Sequence, residues 1–197
     1  MDAVTIVDGR TQRGARNREA IIDALIGCYE DGILRPSVQQ VAERAGVSAR
    51  SVHNHFVDVE ALQAEVAQRQ WDRMTPHVVP IDTSATVLAR VEVLVGQRAT
   101  IYESIAPVRR AALVLLPDSP VIASRLARAD RFMRRQVERA FPGAAPDAID
   151  AVDALASWDV WNRMRTTQGL SVPRAQRVLV RAISAVLGAG VDEGSKE

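Results

Sequence analysis

Apolar residues recur along the chain at intervals of three and four, the period of helices with one buried face, and alternating strand patterns are absent. Ile21, Ile22, Leu25, Cys28 and Tyr29 mark the inner face of a first helix from about Gln12 to Asp31, with Gly32 as its stop. In "RPSVQQVAERAG" Ser37 is placed as an N-cap with Gln40 three residues on, the pattern of a capping box, and Gly46 stands where a left-handed residue is needed. Ser48 caps the next short helix, and Asp58 caps a longer one running to about Met74. The segment "PHVVPIDTSAT", with two prolines, is a connector. Beyond it, Val87, Leu88, Val91, Leu94, Val95 and Tyr102 mark a helix, and "SIAPVRRAALVLLPD" follows as a separate short apolar one. "DSPVIAS" opens the next with Ser119 as cap and Pro120 in its first turn. "APDAID" and "LSVPRAQ" open the last two, the latter capped by Ser171, and little beyond Gly190 is expected to be ordered. The pattern predicts an all-α protein of about nine helices, a small N-terminal unit followed by a larger one, without internal repeats.

Composition narrows the function classes only a little. The 197 residues are nearly half apolar and a quarter charged, ordinary for a soluble globular protein, and the net charge of +1 points to no partner. All the basic residues but Lys196 are arginine, a bias that GC-rich coding produces as readily as selection for phosphate binding. The single cysteine, Cys28, cannot form an internal disulfide, which suits a reducing cytoplasm. No run is apolar enough to span a membrane, and "MDAVTIVDGR" lacks the features of a signal peptide. A cytoplasmic location is expected. The sequence contains no GxSxG, HExxH or phosphate-cradling glycine loop, so no enzyme activity and no cofactor are expected.

The stretch "QQVAERAGVSARSVHNHF" carries the most information. Two short helices that cross closely need a small residue at the crossing, here Ala42, and a glycine where the chain reverses, here Gly46. Val41, Ala45, Val47 and Val52 fill the space between them. These are the offsets of a helix-turn-helix, whose second helix enters the DNA major groove.

Residues from about Arg13 to Leu62 resemble the DNA-binding domain of the TetR family of transcriptional regulators, through "AIIDALIGCYEDG", "VQQVAERAGVS", "ARSVHNHF" and "DVEAL". The resemblance covers about a quarter of the chain. It implies a flexible arm over residues 1–11 and a three-helix DNA-binding domain over 12–57. A connecting helix over 58–74 leads to a larger ligand-binding and dimerisation domain over 75–190, and 191–197 form a flexible tail. In such a domain Val52 and Phe56, four apart, hold the recognition helix to the core. Arg50, Ser51, His53, Asn54 and His55 then face the groove and its phosphate walls, beside Ser48 at the helix start. Asparagine can pair with adenine and arginine with guanine, and a histidine ring can donate to phosphate. Ser37 and Gln39 fall at family positions that touch the DNA backbone or a base edge. Two positions depart from the family pattern: His53 stands where tyrosine is usual, and Val59 where a lysine usually opens the fourth helix. A valine cannot replace that charge, although the helix N-terminus still offers amides to a phosphate. His53 and His55 lie two apart and diverge around a helix, so a metal site is not expected. The arm "GRTQRGARNRE" carries Arg10, Arg13, Arg16 and Arg18 before its first acid, and Arg16 is assigned a DNA contact.

In the larger half, Ala175, Val178, Leu179, Ala182, Ile183, Val186 and Leu187 form one stripe of the last helix. The helix before it carries Ile149, Val152, Leu155 and Ala156 on one face and Trp158 and Trp161 on another, which calls for two things to pack against. Following the family, the second is a partner subunit, with Ile149, Val152, Leu155, Val178, Leu179, Ala182, Ile183 and Val186 at a homodimer interface. Tyr102, Phe132, Met133, Trp158, Trp161 and Asn162 either line an effector cavity or form plain core. Six arginines between Arg125 and Arg139 form a solvated face opposite Ile122, Leu126, Met133 and Val137. The expected function is a homodimeric regulator, a repressor by family habit, that binds double-stranded palindromic DNA and is released by a small apolar effector. The alternative keeps the DNA-binding half without a small-molecule response, the second domain serving dimerisation or a protein partner.

Overall fold

The computed structural model describes the backbone of residues 9–188, with side chains from residue 12. Among the described residues the regular structure is entirely helical: α1 (Gly9–Glu30), α2 (Val38–Ala45), α3 (Ala49–His55), α4 (Val59–Met74), α5 (Val87–Leu115), α6 (Pro120–Ala140), α7 (Pro146–Leu155), α8 (Trp158–Asn162) and α9 (Val172–Val186). They form two compact units, one drawn from Met1–Gln70 and Pro107–Arg125, the other from Trp71–Ala106 and Leu126–Glu197. The sequence predicts a second domain running unbroken over 75–190; in the structure the chain returns to the first unit at Pro107.

In the first unit, α1 places Ile21, Ile22, Leu25 and Tyr29 in a core shared with Val41 and Ala42 of α2, Val52 of α3, Phe56, and Leu62 and Val66 of α4. Ala111 of α5 completes it, with Val108 packed against its edge. The first helix starts at Gly9, not Gln12, and Arg13, Arg16 and Arg18 of the predicted basic arm all stand on it. Arginine, glutamine and alanine are strong helix formers, and the single Gly14 is too weak a breaker to stop them. The rest of the predicted arm, residues 1–8 and the Arg10 side chain, lies outside the described residues, as does the predicted tail over 191–197.

One helix break predicted from sequence is absent, and one that was not predicted is present. Pro107, expected to separate two helices, lies inside the continuous α5. Proline removes one amide donor, here the one that would bond the Glu103 carbonyl, but cannot undo a helix held on both sides of it. Ile101 and Tyr102 are buried before it and Ala111 after it. The helix predicted to carry both apolar faces, by contrast, breaks in two. Ala156 leaves the helical path at ψ 10°, and Ser157 adopts an extended conformation, its hydroxyl accepting from Val160 N at 3.4 Å. Trp158 and Trp161 therefore belong to α8, which runs on into a π-helical turn over Arg163–Thr167.

The second unit buries Val91, Leu94, Val95, Val137, Trp161 and Ile183, with α7 against α9. The arginine face of α6 is tied down at two points. Arg134 reaches Asp150 at 2.6 Å and Glu138 at 3.1 Å, and Arg128 lies over the Trp71 ring at 4.3 Å. Among the described residues no helix is long and apolar enough to cross a membrane, and no group of three His, Cys, Asp or Glu side chains is placed to hold a metal ion.

Candidate nucleic-acid interface

The site is built from the backbone outward. Ser37 has extended dihedrals and its hydroxyl accepts from Gln40 N at 3.2 Å, while the Gln40 side chain accepts from Ser37 N at 2.8 Å. This reciprocal pair satisfies two amides that the start of α2 would otherwise leave unpaired. At the other end Gly46 turns at φ 66°, donating to Ala42 and Glu43 carbonyls, which lets α3 follow α2 at once. Ala42 is 1 % exposed where the helices crowd. Gly27 on α1 permits a similar approach: a Cβ there would fall 2.4 Å from Arg44 Nε of α2, whose guanidinium reaches on to pair with Asp31.

Ser48 caps α3, its hydroxyl accepting from Ser51 N at 3.1 Å. Val52 and Phe56 are buried, and Arg18 of α1 lies over the Phe56 ring at 5.3 Å while pairing with Glu65 at 2.7 Å. Arg18 thus holds Phe56, at the end of α3, from behind, whereas Arg13 and Arg16 are exposed. Arg50, His53 and Asn54 project from α3 into solvent, and Ser37, Gln39 and Ser48 are exposed beside them. Gln39 donates to Glu43 at 2.8 Å. Ser51 and His55 are half-buried, and the His55 ring lies 3.9 Å from where a Cβ on Gly14 would be. Asp58 accepts from Ala61 N at 2.7 Å and so caps α4, with Val57 and Val59 exposed on either side of it.

The fold was compared with solved structures. A transcriptional regulator of Rhodococcus sp. RHA1 superposes with a TM-score of 0.68 at 18% identity, covering 89% of this chain and 96% of that one. A TetR-like transcriptional regulator from the same source gives 0.61 at 16% identity, over 88% and 97%. SmeT, the repressor of the Stenotrophomonas maltophilia multidrug efflux pump SmeDEF, gives 0.57 at 20% identity, over 91% and 96%. The chain has the fold of TetR-family transcriptional regulators. No family model matches the sequence and no curated protein matches it.

Within the larger unit of this TetR-like fold, the aromatic residues singled out from sequence fall into separate groups. Tyr102 donates to the Ala156 carbonyl at 2.9 Å, meets Trp158 edge-on at 5.7 Å between centroids and lies 6.5 Å from Trp161. Trp161 donates to Glu103 at 2.9 Å, and Glu103 also accepts from Arg165. Phe132 stands apart from these, against Trp71 at 5.1 Å, and Met133 contacts Arg98. Asn162 is half-buried. The residues assigned to a dimer interface also divide. Ile149, Val152, Leu179 and Ile183 are buried within the subunit, Leu155 and Ala182 partly so, while Val178 and Val186 remain exposed on α9. Arg98, fully buried in this unit, is absent from the sequence-based candidates.

Proposed function

We propose that this protein is a DNA-binding transcriptional regulator that acts as a homodimer on a palindromic operator. The observation that carries the proposal is the exposed face of α3, Arg50, His53 and Asn54, on a helix capped by Ser48 and anchored by Val52 and Phe56. Asn54 and Arg50 supply base-edge pairing, and Ser37, Gln39, Ser48, Ser51, His53 and His55 with Arg16 contact the backbone around them. One helix of this length reads few bases. Two copies spaced about 34 Å apart would read successive major-groove faces of one palindrome. Val178 and Val186, exposed two turns apart on α9 with Ala182 between them, support a partner subunit on that face.

A small effector received by the larger unit lowers operator affinity to the extent that it favours a state with wrongly spaced recognition helices. Repression is the direction shared with SmeT. The deciding experiment is selection of bound sites from random duplexes by the purified chain. An enriched inverted repeat supports the reading, and recovery of unrelated sequences at every salt concentration removes it.

A further inference from the structure

Among the described residues, one buried charge in the second unit has no ionic partner. Arg98 stands on α5 in the apolar stripe of Val91, Leu94, Val95 and Tyr102, and is 1 % exposed. Its Nη1 lies 2.6 Å from Gln136 Oε1 and 2.6 Å from Met133 Sδ, and its Nη2 donates to the Met133 carbonyl at 2.9 Å. Each of these acceptors is neutral, and Nε is buried with no acceptor at all. Asp153, the acid whose charge reaches it, is bridged at 3.4 Å by Arg134. Burial pushes the Arg98 pKa down, against smaller opposing effects of Tyr102 and Asp153. A cation kept in the interior without a carboxylate is strongly disfavoured, and an apolar residue in its place is commonly as stable or more so.

A second donor in this unit also lacks a partner. Among the described residues, nothing accepts from the buried Nε1 of Trp158. Tyr102 links the two: it stands one helical turn after Arg98, and its ring meets that of Trp158 edge-on. Its own hydroxyl donates to the Ala156 carbonyl at 2.9 Å.

We infer that Arg98 and Trp158 are the donors for the carboxylate of a small organic acid, whose apolar body packs among Tyr102, Trp158 and Trp161. A carboxylate takes the Nε edge of a guanidinium in two parallel hydrogen bonds, a geometry no thioether or amide oxygen reproduces. Met133 Sδ and Gln136 hold Nη1 and leave the Nε edge to the acid, and the unbranched thioether of methionine adapts readily to it. The inference rests on the larger unit being the effector domain, and it changes the effector from an apolar molecule to an apolar acid.

The test uses the full chain without DNA, in titrations with benzoate, indole-3-acetate and octanoate, each against its primary amide at matched ionic strength. Melting temperature and tryptophan emission are read. At least one acid is expected to bind tenfold or more tighter than its amide. Arg98→Met should abolish that preference while melting no lower than the parent, and it is the lost preference, not the melting temperature, that a purely structural arginine would not produce. Should Arg98→Met fail to fold, Trp158→Phe carries the comparison: a weakened acid preference supports the inference and an unchanged one overturns it. Equal binding of acids and amides, or no binding by any of the three acids, overturns it as well. Site selection on duplexes reports on DNA binding separately, so failure of the acid site is distinguishable from failure of the regulator reading.

Discussion

At Gly46 a missing side chain decides where α3 can start. Its φ of 66° is open to glycine and strained for other residues, and a Cβ there would meet nothing within 4 Å, so the penalty of a side chain is conformational alone. Gly46→Ala is expected to lower stability by about 1 kcal/mol with an unchanged urea m-value. On the proposed function, exposed residues of the same motif act on DNA instead of on folding. Asn54→Ala should flatten base preference at one operator position, whereas Arg16→Ala should weaken cognate and scrambled duplexes alike and reduce the salt slope by about one. Equal loss on both duplexes from Asn54→Ala would contradict its assignment. Tyr29 brings a pH dependence. Burial, with a smaller contribution from the neighbouring Cys28, raises its pKa to about 12. The folded state therefore favours the neutral phenol, and the stability this contributes is complete below pH ~10 and lost as pH rises through about 12. Tyr29→Phe should remove this part of the alkaline fall in melting temperature.

Elements were legible wherever a cap and a period agreed. Ser37 with Gln40, Ser48, Asp58 and Ser119 all mark helix starts that the structure confirms, because a hydroxyl or carboxylate before an apolar period has a direct backbone partner. Pro107 was misleading for the opposite reason. Its local penalty is real, but burial on both sides of α5 outweighs it. Pro107→Ala should restore a donor for the Glu103 carbonyl and raise stability by on the order of 1 kcal/mol, measured by chemical unfolding. The break at Ser157 was missed because "ALASWDV" keeps its apolar period across the site, and only the serine hints at a new cap. A signal for Arg98 was present too. It falls seven residues after Val91, four after Leu94 and four before Tyr102, which puts an arginine inside an apolar stripe.

On the scale of the whole molecule, the units do not follow chain order. α5 passes from one to the other at Pro107 and α6 passes back after Arg125, so the core around Ile21 and Ile22 includes Ala111 from far along the chain. The proposed dimer makes a prediction at this scale. Val178→Asp with Val186→Asp places two charges on the exposed face of α9 and leaves Leu179 and Ile183 buried beneath it. Light scattering should report a monomer, with helical content retained and operator affinity sharply reduced. A dimer that survives both substitutions would place the interface elsewhere.

The sequence by itself determined the helical class, the capped helix-turn-helix and the outward side of α3, because these depend on residues three to seven apart whose partners lie within the same segment. Only the tertiary structure decided that α5 runs through its proline, that Arg18 supports Phe56 behind α3, and that Leu179 and Ile183 are sealed inside while Val178 and Val186 are not. It alone brought Arg98 and Trp158 to the same tyrosine. Those outcomes depend on contacts between segments distant in sequence, and a periodic pattern says that a face is buried without saying against what.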